Sequence, residues 1–201
     1  MDAVLRRSAL HHRLVAATAG QAEAQALRTG VVLADASAQH LLLAQAHDLG
    51  SWLPSLPSVG EVALVANSGW PVRCCRLTAD SALFMAATPP ALPPAPGACG
   101  HVTDLTCGRT IVAVAGPRSL DLLRAATQVD LRDRALPDRR CVQTSVAQVP
   151  ATIVRYDRSG VHAYEILVAR DLGEYLWDAL LAAGGPLGAR PAGAAIIERG
   201  D

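Results

Sequence analysis

The chain has 201 residues, of which 51% are hydrophobic and 18% charged, and 18 basic side chains balance 18 acidic ones. This composition is typical of a folded protein, and zero net charge offers no basic field for a nucleic acid. All the basic residues are arginine, which excludes a Schiff-base lysine, a Walker A loop and a kinase-type strand lysine. No apolar run approaches the roughly 18 residues of a membrane span, and five cysteines without CxxC spacing favour reduced thiols. We therefore expect a cytoplasmic protein without a membrane partner.

The clearest boundary in the sequence is a proline-rich stretch at residues 88–97, with five prolines in ten residues. Proline fixes φ and lacks a backbone donor, so this stretch is predicted to be neither a helix nor a central strand. The sequence thus predicts an N-terminal α+β lobe at 1–87, a linker at 88–97 and a C-terminal α+β lobe at 98–201.

The first lobe alternates apolar runs with turn residues. Its patterns predict, in chain order, a helix from Ser8 to near Gly30, strands at 31–33 and 41–44, a short helix at 47–53, a hairpin of 61–65 and 72–77 around Asn67-Ser68-Gly69, and a strand at 82–86.

The second lobe has stronger local signals. They predict a strand at 110–114, a sharp turn at Gly116-Pro117, a helix at 119–126 with proline in its first turn, a hairpin of 151–155 and 162–168, and a final helix. For that helix, Asp171 is the predicted N-cap, with Glu174 completing a capping box, and Gly184-Gly185 is the predicted end.

Few residues point to chemistry. The six histidines show no HxxxH or HxH spacing, so no metal site is predicted, and no GxSxG motif marks a serine nucleophile. The adjacent Cys74 and Cys75 are either small core residues or a reactive thiol whose pKa a nearby Arg73 or Arg76 lowers.

Glu165 lies in an alternating strand, on the face that carries Ala163 and Leu167. A carboxylate among apolar neighbours needs a partner, and Arg155 across the hairpin is the predicted one. The alternative is that Glu165 faces a ligand.

Several segments resemble the aminomethyltransferase family, which includes the T-protein of the glycine cleavage system and its folate-binding relatives. Residues 111–123 are similar to the family's strand, Gly-Pro and helix, and 153–168 resemble the hairpin with the stretch R-x-G-Y-T-G-E-x-G-F-E-I. Residues 171–185 resemble the helix that follows, and 26–37 a run in the first lobe. The resemblance implies a two-lobed, folate-binding α+β fold; because the sequence stops at Asp201, we expect it to lack the family's C-terminal barrel.

The chain departs from the family where folate and catalysis are concerned. The family's carboxylate pair follows the hairpin of the first lobe, but residues 62–79 contain no acid. The family's folate-gripping glutamate falls on Val161. The resemblance therefore implies no catalytic residue and no metal, and leaves Arg155, Tyr164 and Glu165 as a residual folate-type pocket, with tetrahydrofolate as the candidate ligand.

A short member of this family with an eroded folate site resembles the gamma subunits of heterotetrameric sarcosine oxidases. This implies a non-catalytic subunit whose partners are larger flavoprotein oxidase chains carrying FAD or FMN. The substrate would be an N-methylated amino acid, and tetrahydrofolate on another subunit would accept the one-carbon unit. The alternative is a free-standing aminomethyltransferase-like enzyme or maturation factor with a repurposed pocket, in which Arg155, Tyr164, Glu165 or Cys74 carries the chemistry.

Overall fold

A computed structural model describes residues 8–13, 21–67, 70–158 and 160–195. In these ranges four α-helices accompany eleven strands, which confirms the predicted α+β class. The helices are α1 (Gln21–Thr29), α2 (Leu49–Trp52), α3 (Ser119–Ala126) and α4 (Gly173–Gly184). The strands are β1 (Val32–Asp35), β2 (His40–Ala46), β3 (Val62–Asn67), β4 (Trp70–Arg76), β5 (Ser81–Ala86), β6 (Gly100–Asp104), β7 (Arg109–Ala115), β8 (Arg140–Val146), β9 (Val149–Arg155), β10 (Ala163–Ala169) and β11 (Arg190–Ala192).

The strands of the described residues form two sheets. Sheet 1 has the spatial order β11-β1-β7-β10-β9-β8, and sheet 2 the order β3-β4-β5-β2-β6. Residues 88–96 belong to no helix or strand, yet the strands on either side of them, β5 and β6, both lie in sheet 2. Conversely, β1 pairs with β7 and β11 in sheet 1. The two sheets therefore draw strands from both sides of the proline-rich stretch.

The two sheets pack face to face. Alternation along each strand places one set of side chains between the sheets and the other set outside. The core between the sheets contains Leu41, Val62, Cys75, Leu83, Met85, Ile111, Cys141, Val154 and Leu167. At one edge the sheets also touch through a single antiparallel bridge between Glu61 and Arg140.

Helices cover the surfaces that the sheets leave open. Helices α3 and α4 pack on the outer face of sheet 1, where Trp177 is only 1% exposed. Helix α1 covers an alanine-rich part of the inner face of sheet 1 that sheet 2 does not reach. Among the described residues, α2 and parts of the irregular chain such as Leu92 cover the outer face of sheet 2.

Most of the predicted elements are confirmed. Helix α3 spans the predicted residues 119–126, and the predicted hairpins are β3–β4 and β9–β10. The predicted helix from Ser8 is too long, because residues 9–13 form turns and α1 begins at Gln21; residues 14–20 lie outside the described part. Strands β6, β8 and β11 were not predicted.

The predicted capping box of the last helix is wrong. Residues Arg170–Leu172 form a 3-10 turn, and α4 begins at Gly173 without a side-chain cap. A Cβ atom at Gly173 would lie 2.5 Å from Oγ1 of Thr110 on β7. The close packing of this first turn against the sheet therefore fixes where the helix begins.

Candidate functional site

The sheet interface contains a buried ion pair. Glu165 projects from β10 of sheet 1, and Arg73 projects from β4 of sheet 2. Nη1 of Arg73 lies 2.8 Å from Oε2 of Glu165, and Nη2 donates to Oε1 at 2.9 Å. The contact thus combines one charge-assisted hydrogen bond with a close ionic contact between Nη1 and Oε2, two atoms that have no hydrogen-bond partner among the described residues.

Gln39 closes this pair into a network of three side chains. Its Nε2 donates to Oε1 of Glu165 at 3.1 Å, and its Oε1 accepts from Nη2 of Arg73. Arg73 and Glu165 are 8% and 9% exposed, respectively, so both charges are largely removed from water. Each charge is nevertheless compensated, as a buried ionised group requires.

The pair keeps Glu165 ionised. Burial raises the pKa of Glu165, but the charge and hydrogen bonds of Arg73, with the amide of Gln39, outweigh burial and leave the pKa below its ordinary value. Burial lowers the pKa of Arg73, and the carboxylate more than restores it. A ligand that needs the Glu165 carboxylate would therefore have to displace Arg73.

The predicted pairing of Glu165 with Arg155 is wrong, and the register of the hairpin gives the reason. Arg155 on β9 lies directly opposite Tyr164 on β10. Because successive residues point to opposite faces of a sheet, Arg155 and Tyr164 share the face away from Glu165.

On that outer face of sheet 1, Arg155 is held by the carboxylates of Asp133 and Asp157. Nη1 donates to Asp133 at 2.6 Å and to the carbonyl of Leu136 at 2.7 Å, and the Nε–Nη2 edge binds Asp157 at 3.1 and 2.8 Å. Nδ1 of His162 lies 2.7 Å from Nη2. At 2% exposure the guanidinium ties two turns to the sheet, which is a structural role.

Tyr164 lies beneath this guanidinium, with its ring centroid 5.7 Å from the Cζ atom of Arg155. The side chain is 1% exposed, and burial raises its pKa to about 12. The three residues predicted as one pocket are thus divided by the sheet, with Arg155 and Tyr164 on the outer face and Glu165 on the inner face.

The partners of Glu165 and Arg155 could not be predicted from the sequence. Gln39 precedes β2, and Asp133 lies in the irregular segment between α3 and β8, so neither has a local pattern that points to the site. The sequence does contain the information that separates Arg155 from Glu165. Strand alternation and the length of the turn together fix the register of the hairpin, and the register places the two side chains on opposite faces.

Cys74 and Cys75 are core residues rather than a reactive pair. Both are fully buried, on opposite faces of β4, and burial raises the pKa of Cys74 to about 12. A hydrogen bond with Cys141 and burial raise the pKa of Cys75 as well. The reactive-thiol alternative therefore finds no support in the geometry.

Two surface clefts lie away from the ion pair. One, of about 480 Å³, lies on the outer face of sheet 2, where Trp52, Phe84 and Leu92 contribute to its apolar lining. The other, of about 230 Å³, opens at the sheet interface beside Leu105 and Leu167. Neither is lined by Glu165, Arg155 or Tyr164.

Neither a metal-binding cluster nor a membrane-spanning helix occurs among the described residues. They contain no group of three or more His, Cys, Asp or Glu side chains placed to hold a metal ion. None of their helices has the length and apolar character needed to cross a membrane.

The fold and the sequence both define the class of this protein. The sequence profile of the GCVT N-terminal domain family matches residues 87–199, which is more than half of the chain. The chain belongs to this family, as the aminomethyltransferase resemblance predicted.

Within the family, the chain is similar to proteins of two kinds. It is 30% identical over 164 residues to sarcosine oxidase subunit gamma of Arthrobacter sp., which covers 75% of this chain and 77% of that protein. It is 37% identical over 83 residues to an aminomethyltransferase of Streptomyces avermitilis. That second match covers 41% of this chain but only 22% of the aminomethyltransferase.

Solved structures show the same fold. A chain of the heterotetrameric sarcosine oxidase from Corynebacterium sp. U-96, in complex with pyrrole 2-carboxylate, matches with a TM-score of 0.71 at 24% identity, covering 93% of this chain and 98% of that chain. Glycine cleavage system aminomethyltransferase T from Bartonella henselae matches with a TM-score of 0.66 at 17% identity, covering 85% of this chain and 50% of that chain.

Proposed function

We propose that this chain is a non-catalytic, gamma-like subunit of a multisubunit flavin-dependent amine oxidase or demethylase. The partners are larger flavoprotein chains that carry FAD or FMN, and the substrate is an N-methylated amino acid such as sarcosine. The released one-carbon unit passes to tetrahydrofolate on another subunit. The similarity to a sarcosine oxidase gamma subunit, over about three-quarters of both chains, supports this assignment.

The observation that carries the non-catalytic part of the proposal is the buried pair of Arg73 and Glu165. A protein recognises a pterin through a carboxylate that accepts hydrogen bonds from the amidine-like edge of the pterin. Without that carboxylate the donors of the pterin stay unpaired, and the pterin binds with lower affinity. Here the Glu165 carboxylate is held by Arg73 and Gln39, and Val161 is apolar. The residues present therefore do not fit the pterin edge of a folate.

A subunit role requires surface that partners can cover. Large apolar side chains are exposed at four described positions: Val59, Leu64, Val102 and Tyr175. Two of them lie on the edge strands of sheet 2, since Leu64 is in β3 and Val102 in β6. Apolar groups at sheet edges are a common feature of surfaces that associate with other chains.

Removal and reconstitution test the proposal. Deleting the gene in the source organism should abolish flavin-dependent oxidation of sarcosine in cell extracts, and adding the purified chain back should restore it. The purified chain alone should consume no oxygen with sarcosine. Full oxidation in the deletion extract, or turnover by the isolated chain, would contradict the proposal.

The second candidate function, a free-standing aminomethyltransferase-like protein with a repurposed folate pocket, is favoured by the 37% identity to an aminomethyltransferase. It predicts saturable binding of tetrahydrofolate to the isolated chain. Isothermal titration calorimetry separates the candidates, because the subunit proposal predicts no heat of binding.

A further inference from the structure

The smaller of the two clefts, of about 230 Å³, opens between the inner faces of the two sheets. Its apolar lining continues the inter-sheet core to the surface, because each of these leucines belongs to that core or packs against it. The leucines that line it are Leu43 of β2, Leu77 directly after β4, Leu83 of β5, Leu105 between β6 and β7, and Leu167 of β10. We call this cleft the leucine slot.

Three polar side chains also line the slot, and all belong to the inner face of sheet 1. Arg109 lies two residues before Ile111 on β7, and Ile111 is in the inter-sheet core, so strand alternation places Arg109 on the same face. Thr152 has the same relation to the core residue Val154 on β9. The register then places Gln143 of β8 directly opposite Thr152. The slot thus combines apolar walls with one cation and two hydrogen-bonding groups.

These polar groups have no partner in the described part of the chain. There the guanidinium of Arg109 takes part in no ion pair or hydrogen bond, and the side chains of Thr152 and Gln143 form no hydrogen bond. No Asp or Glu lines the slot. Arg109 and Thr152 are half-buried, where a polar group without a partner is less well solvated than at an open surface. The slot therefore offers donors that the described protein leaves unused.

A carboxylate is the group that would complete this arrangement. Three arginines on other strands, Arg73, Arg140 and Arg155, each pair with a carboxylate of the protein itself. A guanidinium matches the planar carboxylate group with two parallel N–H donors. The hydroxyl of Thr152 and the amide of Gln143 can donate to the same group. Arg109 has the chemistry of the paired arginines without their counter-ion.

We propose that the leucine slot is a binding site for a small carboxylic acid with a short apolar chain. The carboxylate pairs with Arg109, with Thr152 and Gln143 as further donors, and the chain packs on the leucines, where burial of apolar surface is favourable. At about 230 Å³ the slot is smaller than the roughly 300–1,000 Å³ of clefts that take drug-sized ligands, so the chain has only a few carbon atoms. This site is separate from the Arg73–Glu165 pair and does not rest on the proposed function.

Titration of the isolated full-length chain with hexanoate, followed by NMR of the backbone amides, tests the site. Hexanamide has the same chain without the charge, and inorganic phosphate has a charge without the chain. Hexanoate should give saturable shifts that include the amides of Thr152 and Leu167. Hexanamide and phosphate should each bind at least about tenfold more weakly, since one lacks the charge-assisted hydrogen bonds and the other the apolar contact.

Arg109→Gln should weaken hexanoate binding about tenfold or more, because it removes the cation of the slot. The variant loses no ion pair within the described residues, so it should fold, which circular dichroism checks. Arg124→Gln, on α3 over the outer face of sheet 1, is the matched control. At physiological ionic strength it should change the affinity by less than about twofold, because salt screens a charge outside the slot.

Three results would overturn the proposal. The first is that hexanoate does not bind the natural chain saturably. The second is that hexanamide or phosphate binds as tightly as hexanoate, and the third is that Arg109→Gln binds hexanoate as tightly as Arg124→Gln does.

Discussion

The buried network of Arg73, Glu165 and Gln39 is the main polar contact between the inner faces of the two sheets in the described residues. The pair joins the two sheets and holds the Glu165 carboxylate against Arg73 and Gln39, although Nη1 of Arg73 and Oε2 of Glu165 have no hydrogen-bond partner among the described residues. Its cost of desolvation is high, so removing one partner alone should be more damaging than removing both.

Breaking the pair gives the first prediction. Arg73→Met should lower the free energy of unfolding by about 3–5 kcal/mol, because it leaves the Glu165 carboxylate buried without a cation. The double variant Arg73→Met/Glu165→Leu should recover most of this loss, since apolar side chains replace both charges. Urea denaturation followed by circular dichroism measures both, and a single variant as stable as the natural protein would contradict this account.

The pH dependence of stability gives the second prediction. The pKa of Glu165 in the folded state lies below its ordinary value of 4.5. On acidification the unfolded chain takes up this proton first, so the free energy of unfolding should fall as pH drops below 4.5 towards the folded pKa. Glu165→Gln should have a shallower slope in that window; equal slopes would show that Glu165 is not held ionised.

Thiol reactivity gives the third prediction. Of the five cysteines, Cys99 and Cys107 are exposed, whereas Cys74, Cys75 and Cys141 are buried. At about pH 8 a thiol reagent such as dithionitrobenzoate should modify two thiols of the folded protein and all five after denaturation. Rapid modification of a third thiol in the folded protein would instead support the alternative that Cys74 or Cys75 is reactive.

At the scale of elements, the turn from β7 into α3 was predicted from Gly116-Pro117, and the same glycine is also required by close packing. Gly116 has a φ of +126°, and a Cβ atom there would lie 2.6 Å from the carbonyl oxygen of Gly30. This close approach locks the strand–helix turn against the segment that leads into β1.

Gly116→Ala should therefore destabilise the protein by about 2–4 kcal/mol, through backbone strain and a clash with a main-chain oxygen. Gly160→Ala is the matched comparison: its φ is +77°, but no atom lies within 4 Å of the added Cβ. Gly160→Ala should lower the free energy of unfolding by about 1 kcal/mol, because only the backbone conformation is unfavourable for alanine. Thermal denaturation measures the stability of both variants. Equal losses of stability would show that the clash at residue 116 does not contribute.

The elements that the sequence predicted well are those with local signals. Helix α3 follows a glycine–proline turn, and β9 and β10 flank a turn-forming segment, so spacing along the chain was sufficient. Strand β8 was missed because its buried positions, Cys141 and Val146, do not show a regular alternation. The start of α4 was misplaced because the packing of Gly173 on Thr110 overrides the capping pattern.

The site was harder to predict than the fold. Strand alternation correctly placed Glu165 on a face with Ala163 and Leu167, but Arg73 is 92 residues away and lies in the other sheet. No periodicity in one strand indicates which side chain of another sheet will face it. The ring of Tyr156 likewise lies near Arg73 of sheet 2 and Arg139 before β8, which no local pattern around Tyr156 predicts.

At the scale of the whole molecule, strands from both sides of the proline-rich stretch contribute to both sheets. The inter-sheet core and the Arg73–Glu165 pair further bind the sheets together. A scaffold of this kind, with the Glu165 carboxylate held by Arg73 and apolar side chains exposed at sheet edges, is suited to associating with other chains.

Purification of this chain from its source organism, through an affinity tag and under native conditions, tests the central claim most directly. The subunit proposal predicts that larger chains co-purify in a fixed ratio and that the complex shows the visible absorption of bound flavin. Recovery of a colourless chain with the mass of the single polypeptide would contradict it.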